Sequence, residues 1–568
     1  MRHFYNDLSI VLGGAAGQGV QTVENILMAV LKREGYQVFA CKEYMSRVRG
    51  GSNSTEIRLS SKKHRSYVRR IDFLFAMDGN VVEHLSDRIS DRTIVFGEQS
   101  RIKEYATLAH FIDTPLTKFA SEVGNPLYAN TVAVGVILGI LGAEEKIFHE
   151  YLSEFFSRKG QEVVEKNIEA AKKGFQFGKN TAYQEDIELG FPRDDKYAKE
   201  LLIDGHTALG LGALSGGCNF ISSYPMSPGT GVLTFLANKG KRLGVVVDQA
   251  EDEISAINMA LGASYAGARA MVSTSGGGFD LMQEGVSLAG IIETPIVIHI
   301  GMRPGPATGL PTKTEQADLN LALYAGHGEF LRAIYTPGSL EEEVALMRQV
   351  FDTADQFQIP VFVLTDQYLL DSLAGMKEES IGVASSKRHI VETTADYARY
   401  AYTKDGISPR GIPGFGRGIV KVDSDEHDET GHITESYSVR EKMMAKRMKR
   451  LAAMTDSAIM PTEIDNVKDA DILFVAWGSN KGVLEESLAL VRSKKIGGLH
   501  FSQAYPINPK VKEVFKGKKI VVMENNHQGQ FADLLVRECG VKIVKRITKS
   551  TGEPFCVEEI VDELKKYA

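Results

Sequence analysis

The sequence predicts an α/β protein built from several doubly wound domains, and three observations carry this. The chain has 568 residues, several times the ~100–200 that one core usually serves. Short apolar runs of strand length alternate with segments of helical period along three separate regions. Glycine is abundant, at 55 residues, as tight strand-to-helix turns require. Strands that alternate with helices favour parallel sheets covered on both faces.

The first region spans residues 1–180. It opens with the strand pattern LSIVLGG, a glycine turn at Gly13–Gly19 and a helical pattern from Val20 to Glu34. The strand patterns YQVFA, NSTEIRLS, IDFLFAMD and RTIVFGE follow. The apolar stretch Asn130–Gly142 is too short to cross a bilayer and reads as a buried helix. Residues 181–200 turn polar and read as a linker. The second region, 201–375, carries GVVVDQ, ARAMVSTS, TPIVIHIG and IPVFVLTD with helical stretches between them. Residues 376–464 are less periodic, with a Gly/Pro stretch (SPRGIPGFGRG), an acidic run (DSDEHDE) and a basic helix (VREKMMAKRMKRL). The third region, 465–568, carries the strand patterns ILFVAWG, GGLHFSQ, KIVVMENN and VKIVKRI.

Composition narrows the function. With 43% hydrophobic and 24% charged residues, the chain has the balance of a soluble globular protein. A net charge of −7 and no long basic run give nucleic-acid binding no support. The start, MRHFYNDLSIVLGG, lacks a signal-peptide pattern, and no run spans a membrane, so a cytoplasmic protein is expected. The four cysteines, Cys41, Cys218, Cys539 and Cys556, are far apart. A structural zinc or an iron–sulfur cluster needs closely spaced thiolates. No metal site is therefore expected here, and any redox centre would sit on another chain.

Several motifs stand out, each with a plain structural alternative. The turn GGAAGQG could hold a phosphate on its N–H groups, yet it matches a dinucleotide fingerprint only if Ala16 replaces the middle glycine. In RVRGG, Arg47 and Arg49 beside a Gly-Gly turn suit an anion; a solvated surface loop fits equally well. SSYPMSPGTG is a rigid Pro-flanked loop that presents Ser227, or simply a turn. In QAEDEISAINMALGASYAGAR, Glu253 opens an otherwise apolar helix, where burial should raise its pKa; the alternative is a carboxylate favoured by the helix dipole, the role expected of Glu251 and Asp252. STSGGGFDLMQE is a glycine loop after a strand. In GMRPGPATGLPTKTEQADL, Arg303 follows a strand end, where a guanidinium suits a carboxylate or phosphate. VVMENNHQGQFADLL is a strand, polar turn and helix. The acids of DSDEHDETGH are contiguous, which fits a solvated loop better than a metal site.

Taken in order, these motifs resemble the alpha subunit of 2-oxoacid:ferredoxin oxidoreductases, in the form with a gamma domain fused in front, as in 2-oxoglutarate:ferredoxin oxidoreductase. GGAAGQGVQT and RVRGG resemble the gamma domain, over 1–180. YPMSP resembles the family's Tyr-Pro-Ile-Thr-Pro loop. The Glu253 helix, TSGGGFDLM and RPGPATGLPT resemble its thiamine-diphosphate pyrimidine-binding domain, over 201–375. DEHDETGHI and ENNHQGQ resemble its later segments, with 465–568 as a transketolase C-terminal-like domain.

The resemblance implies a division of labour. The alpha chain holds the aminopyrimidine of thiamine diphosphate. A beta subunit binds the diphosphate and Mg and carries a 4Fe-4S cluster. Coenzyme A is cosubstrate, ferredoxin takes the electrons, and an (alpha-beta)2 heterotetramer is expected. Glu253 matches the acid that contacts the pyrimidine, with Thr274, Ser275 and Gly276 beside the cofactor. Ser227, Tyr224 and Arg303 match substrate-binding positions, and Lys313 is a candidate for a second substrate carboxylate. Gly17, Gly19, Arg47 and Arg49 are candidates for coenzyme A. Two positions depart from the pattern: Ser227 replaces Thr, and Gly277 stands where the loop often has Pro. The implied reaction is reversible oxidative decarboxylation of 2-oxoglutarate to an acyl-CoA and CO2, with pyruvate or a branched-chain 2-oxoacid as alternative substrates. A nicotinamide dehydrogenase would need an acid after the second strand, where only Glu43 is near; a non-catalytic scaffold would need neither Glu253 nor Arg303.

Overall fold

In the computed structural model, residues 2–46, 51–108, 110–382 and 388–568 are described. The chain forms two compact units, one of residues 1–203 with 372–378 and the other of 204–371 with 379–568.

The first unit is an eight-stranded mixed sheet. Its strands run in the order Phe111–Asp113, Ile94–Gly97, Phe73–Ala76, Asp7–Ala15, Ser52–Ser60, Gln37–Glu43, Leu373–Met376 and Leu201–Asp204. The first four are parallel, and the next three pair antiparallel. The apolar stretch near residue 130 is the helix Ala129–Ile140, buried beyond its first turn. It crosses the helix Gln161–Gln184 through facing glycines: a Cβ on Gly135 would lie 2.5 Å from the Ala171 carbonyl oxygen, so the backbones touch.

Two boundaries differ from the sequence expectation. The polar stretch 181–200 does not hang free: Ile187–Leu189 pairs with Arg2–Phe4, and Arg193 donates to Tyr36 at 3.0 Å. The strand Leu373–Met376, assigned in sequence to the second region, pairs with Gln37–Glu43 in the first unit. Its alternation carries no signal of which sheet it joins.

The second unit contains two sheets. The larger has seven strands, in the order Val246–Gln249, Phe220–Ser223, Ala270–Ser275, Ile296–Met302, Pro360–Asp366, Ala333–Tyr335 and Gln503–Tyr505. All are parallel except the last. The smaller has five, in the order Thr462–Asp465, Ile496–Phe501, Ile472–Trp477, Lys519–Glu524 and Ile543–Thr548. Because Gln503–Tyr505 leaves the smaller sheet to pair with the larger, one apolar core runs beneath both.

The irregular segment between them is anchored by charge. The helix Tyr437–Asp456 turns Lys446, Arg447 and Arg450 inward. They converge on Glu293, wholly buried, with Lys446 Nζ at 2.8 Å and Arg450 Nη1 at 3.2 Å. Arg399 donates to the Glu293 carbonyl at 2.7 Å. Glu293 holds a φ of 49°, costly for a residue with a Cβ, in the turn that leads into Ile296–Met302. The acidic run is no solvated loop throughout: His427 is buried against Tyr400, and Glu426 receives Arg447 and Arg440.

Burial alone would raise the Glu293 carboxyl, but Arg450, Lys446 and Arg399 hold it down at about 2. Its stabilisation is thus present above the ordinary value of 4.5 and is lost as pH falls toward 2. Glu293→Gln should cost on the order of 3–5 kcal/mol, because the buried cations lose their counter-charge. A lower urea midpoint would register this loss, and the difference from the parent should shrink in acid.

Candidate active site

Three parallel strands of the second unit end side by side: Phe220–Ser223, Ala270–Ser275 and Ile296–Met302. In open α/β sheets, ligands bind beyond such carboxyl ends. A polar relay locks the ends together. Ser223 Oγ accepts from the Ser273 N–H at 2.9 Å, Ser273 Oγ lies 2.8 Å from His299 Nδ1, and His299 Nε2 lies 2.8 Å from Thr365 Oγ1. Burial pushes His299 down to about 3, so the imidazole stays neutral and acts as a spacer.

Glu253 is the first residue of the helix Glu253–Tyr265. Asp252 caps that helix, its carboxylate accepting from the Ser255 N–H at 2.6 Å. Glu253 is therefore not needed as a cap. Its side chain is 3% exposed, and its Oε1 has no hydrogen-bond partner among the described residues. Burial raises its carboxyl above the ordinary value, against the pull of its own backbone N–H.

The glycine segment expected as a loop is instead a single helical turn, Gly276–Phe279, and it is shaped around this acid. A Cβ on Gly278 would lie 2.5 Å from Glu253 Oε1 and would overlap Thr274 Oγ1. A Cβ on Gly276 would overlap the carboxyl of Asp318. Thr274 Oγ1, Ser275 Oγ and Asp318 Oδ2 are also sealed from solvent without a partner. Unsatisfied buried polar groups cost ~1–3 kcal/mol each. Four around one loop fit a polar ligand that donates and accepts there, as an aminopyrimidine does.

The substrate candidates lie on neighbouring loops. Arg303 follows the strand Ile296–Met302, and its Nη1 donates to the Ser227 carbonyl at 2.7 Å. Tyr224 and Ser227 are exposed on that same loop. Close packing joins the loops: a Cβ on Gly229 would lie 2.7 Å from the Thr274 carbonyl oxygen, and one on Gly301 would lie 2.9 Å from Pro228. The structure thus brings Glu253, Thr274, Ser275 and Gly276 together, with Tyr224, Ser227 and Arg303 alongside. Lys313, in the loop after Arg303, has its Cβ and Cγ beside Gly552.

Two residues of this site lie within GMRPGPATGLPTKTEQADL but are not singled out by it. Gln316 is wholly buried and stitches the Arg303 loop to the ENNHQGQ turn. Its N–H donates to the Asn525 carbonyl at 2.6 Å, and its Oε1 accepts from the Asn525 N–H and from Asn480 Nδ2. Asp318 follows. In sequence only ADLNLAL, an acid ahead of an apolar helix, hints at it.

The first unit holds the other candidates. Gly17 and Gly19 adopt φ of 93° and 86°, as a left-handed turn demands. Asn130 fills the space beside Gly19, so packing accounts for that glycine, whereas nothing lies near Gly17. Gly17, Gln18, Arg101, Thr117 and Asn130 line a cleft of about 190 Å³. Arg47 and Arg49 lie outside the described residues. Glu43 is on a strand two places from Asp7–Ala15 in the sheet, with antiparallel neighbours. A dinucleotide-binding unit needs a parallel neighbour there, so the nicotinamide reading loses its ribose ligand.

All four cysteines are buried. Burial pushes the Cys218 and Cys556 thiols up to about 12 and Cys539 up to about 11. No helix among the described residues is long and apolar enough to cross a membrane.

Comparison with known proteins agrees with this geometry. Residues 211–446 match a family described as pyruvate flavodoxin/ferredoxin oxidoreductase, thiamine diphosphate-binding, and residues 9–177 match pyruvate ferredoxin/flavodoxin oxidoreductase. The 2-oxoacid:ferredoxin oxidoreductase subunit alpha of a Sulfolobus species is 30% identical, over 98% of this chain and 96% of its own. The 2-oxoglutarate synthase subunit KorA of Methanocaldococcus jannaschii is 30% identical, over 64% of this chain and 95% of its own. The 2-oxoglutarate:ferredoxin oxidoreductase from Magnetococcus marinus, solved with 2-oxoglutarate, coenzyme A and succinyl-CoA bound, superposes with a TM-score of 0.92 at 29% identity. It covers 99% of this chain and 100% of its own.

Gly278→Ala tests the geometry. The new methyl must displace Glu253 or Thr274, while the fold beneath is untouched. Thiamine diphosphate affinity should fall about tenfold or more, as expected when ~1.5–3 kcal/mol of charged hydrogen bonding is lost. Fluorescence quenching on the assembled complex reads this, and unchanged affinity would mean that the loop does not touch the cofactor.

Proposed function

Since this chain belongs to the 2-oxoacid:ferredoxin oxidoreductase family, we propose that it is the alpha subunit holding the aminopyrimidine of thiamine diphosphate and the 2-oxoacid, with 2-oxoglutarate as substrate. The observation that carries this reading is Glu253, buried and with Oε1 unpartnered among the described residues, against a glycine turn in which Gly276 and Gly278 leave no room for a Cβ. When bound, thiamine diphosphate supplies the nucleophilic carbon and the electron sink for decarboxylation.

The chain's own residues supply placement and proton control. Glu253 Oε1 would share a proton with a ring nitrogen of the bound cofactor, and its raised proton affinity suits that exchange. Thr274, Ser275 and Gly276 provide the remaining polar contacts. Arg303 receives the substrate carboxylate by paired hydrogen bonds, with Ser227 and Tyr224 on the same wall. Lys313 is the candidate for the distal carboxylate of a dicarboxylic substrate. The order of regions supports a gamma-type domain over 1–180 extended by the tethered segment 181–200, a pyrimidine-binding domain over 201–375 less the strand Leu373–Met376, which pairs in the first unit, a connecting segment over 376–464 and a transketolase C-terminal-like domain over 465–568.

The rest of the reaction falls to partners. Four buried thiols that hold their protons are poor cluster ligands, which supports a beta subunit carrying the diphosphate site, Mg and the 4Fe-4S cluster. The outer face of the Glu253 helix, with Ile254 50% and Met259 40% exposed, is apolar enough to pack against such a subunit. Ferredoxin takes the electrons, and the assembly is an (alpha-beta)2 heterotetramer. Coenzyme A is the cosubstrate, with the cleft beside Gly17 in the first unit as the candidate site for part of it. The absence of a spanning helix among the described residues is compatible with a cytoplasmic enzyme.

Glu253→Gln keeps the volume and removes the exchangeable proton. Turnover of the assembled complex should fall ~100- to 10,000-fold while the melting temperature holds; near-normal turnover would point to another acid. For the substrate, Lys313→Ala should raise KM for 2-oxoglutarate and improve the relative rate with pyruvate. A parent enzyme that reduces ferredoxin faster with pyruvate or a branched-chain 2-oxoacid would overturn the choice of 2-oxoglutarate.

A further inference from the structure

The helical turn Gly276–Phe279 is packed unevenly around its axis. Successive residues of a helix point about 100° apart, so its three glycines face three directions. Glu253 closes the Gly278 side and Asp318 the Gly276 side, each too near for a Cβ. The Gly277 side, between them, is open. Gly277 is exposed where Gly276 and Gly278 are buried, and a Cβ on it would meet only the Ala307 carbonyl oxygen, 3.7 Å away. One open face is thus flanked by two acids.

Asp318 is not spent on local structure. It occupies the N-cap position of the short helix Leu319–Leu323, yet its side chain makes no capping bond. The residue is half-buried, and its Oδ2 is sealed without a hydrogen-bond partner. A carboxylate can accept about four hydrogen bonds, so its capacity is unused. The backbone that carries it is gripped on both sides. Asn526 Nδ2 donates to the Gln316 carbonyl at 3.1 Å, Gln530 Nε2 to the Ala317 carbonyl at 2.8 Å, and the Asn320 N–H to Gln530 Oε1 at 2.9 Å. A carboxyl on so fixed a backbone is preorganised.

We propose that Asp318 is a second cofactor-binding acid: it accepts a hydrogen bond from the exocyclic amino group of an aminopyrimidine lying over Gly277, while Glu253 takes a ring nitrogen. This rests on the reading that the turn holds thiamine diphosphate. The chemistry is complementary. The ring offers a donor amine and an acceptor nitrogen on different edges, so reading both requires groups on two sides of it. Glu253 and Asp318 stand on two sides of the open face.

The test compares two ligands. The assembled complex, freed of cofactor, is titrated with thiamine diphosphate and with the analogue in which a ring carbonyl replaces the amino group. Fluorescence quenching reads each affinity without turnover. The parent should bind the amino form about tenfold or more tightly, because a carbonyl facing Asp318 leaves two acceptors opposed and unpaired. Asp318→Asn keeps the volume and adds a donor. It should bind the carbonyl analogue more tightly than the parent does and shrink the preference about tenfold. A purely structural role would weaken both ligands together and leave their ratio unmoved. Equal affinities in the parent overturn the proposal without any variant, which keeps it open to refutation should Asp318→Asn fail to assemble. A preference that survives unchanged in Asp318→Asn also overturns it and gives the amine to another acceptor, such as the Ala307 carbonyl. In both cases the cofactor reading stands as long as Gly278→Ala weakens thiamine diphosphate. If the parent binds neither ligand saturably, the cofactor reading falls and the role of Asp318 with it.

Discussion

The helical turn Gly276–Phe279 leaves no room for a Cβ at Gly276, where Asp318 fills the space, or at Gly278, where Glu253 does. This steric constraint organises the site. It brings the buried Glu253 and the sealed Oδ2 of Asp318 against one short stretch of backbone. Burial raises the proton affinity of both acids. Acid and base roles arise where environments set such groups apart.

Such a site needs rigid support, and the supports are polar and remote. Beneath it, Ser223, Ser273, His299 and Thr365 tie four strands into one plate. On one side, Gln316 and Gln530 bind the Arg303 loop to the turn after Lys519–Glu524. Glu524 steadies that turn by accepting from the Phe531 and Ala532 N–H groups at 2.9 and 3.1 Å. At the opposite end of the strand that leads to Arg303, Glu293 is fixed by cations of the helix Tyr437–Asp456. The connecting segment and the C-terminal region are therefore part of the active-site scaffold.

Glycine has different causes in the two units. Around Gly276–Gly278 it makes space for functional carboxyls. In the N-terminal turn, Gly19 yields to Asn130 and only Gly17 is open. In the crossing of Ala129–Ile140 with Gln161–Gln184 it lets two helix backbones meet. One residue type thus marks a site, a packed turn and a helix contact, and only the neighbours distinguish them.

The strand patterns, the parallel second region and the ordered set of motifs are all readable from the chain, because periodicity and turn chemistry are local. Glu253 is legible too, as a lone acid opening an apolar helix. Asp318, Gln316 and the buried cations of VREKMMAKRMKRL are not. The first two sit in a loop without period, and the third look like a solvated face until Glu293 is placed among them. The strand Leu373–Met376 belongs to the first unit because of its pairing with Gln37–Glu43, a contact more than three hundred residues away in the chain. Sequence by itself determined the fold class, the family resemblance and the acid at the head of the helix, since each depends on residues close together in the chain. Tertiary structure alone decided which carboxyls lose their water, because burial depends on what distant segments bring against them.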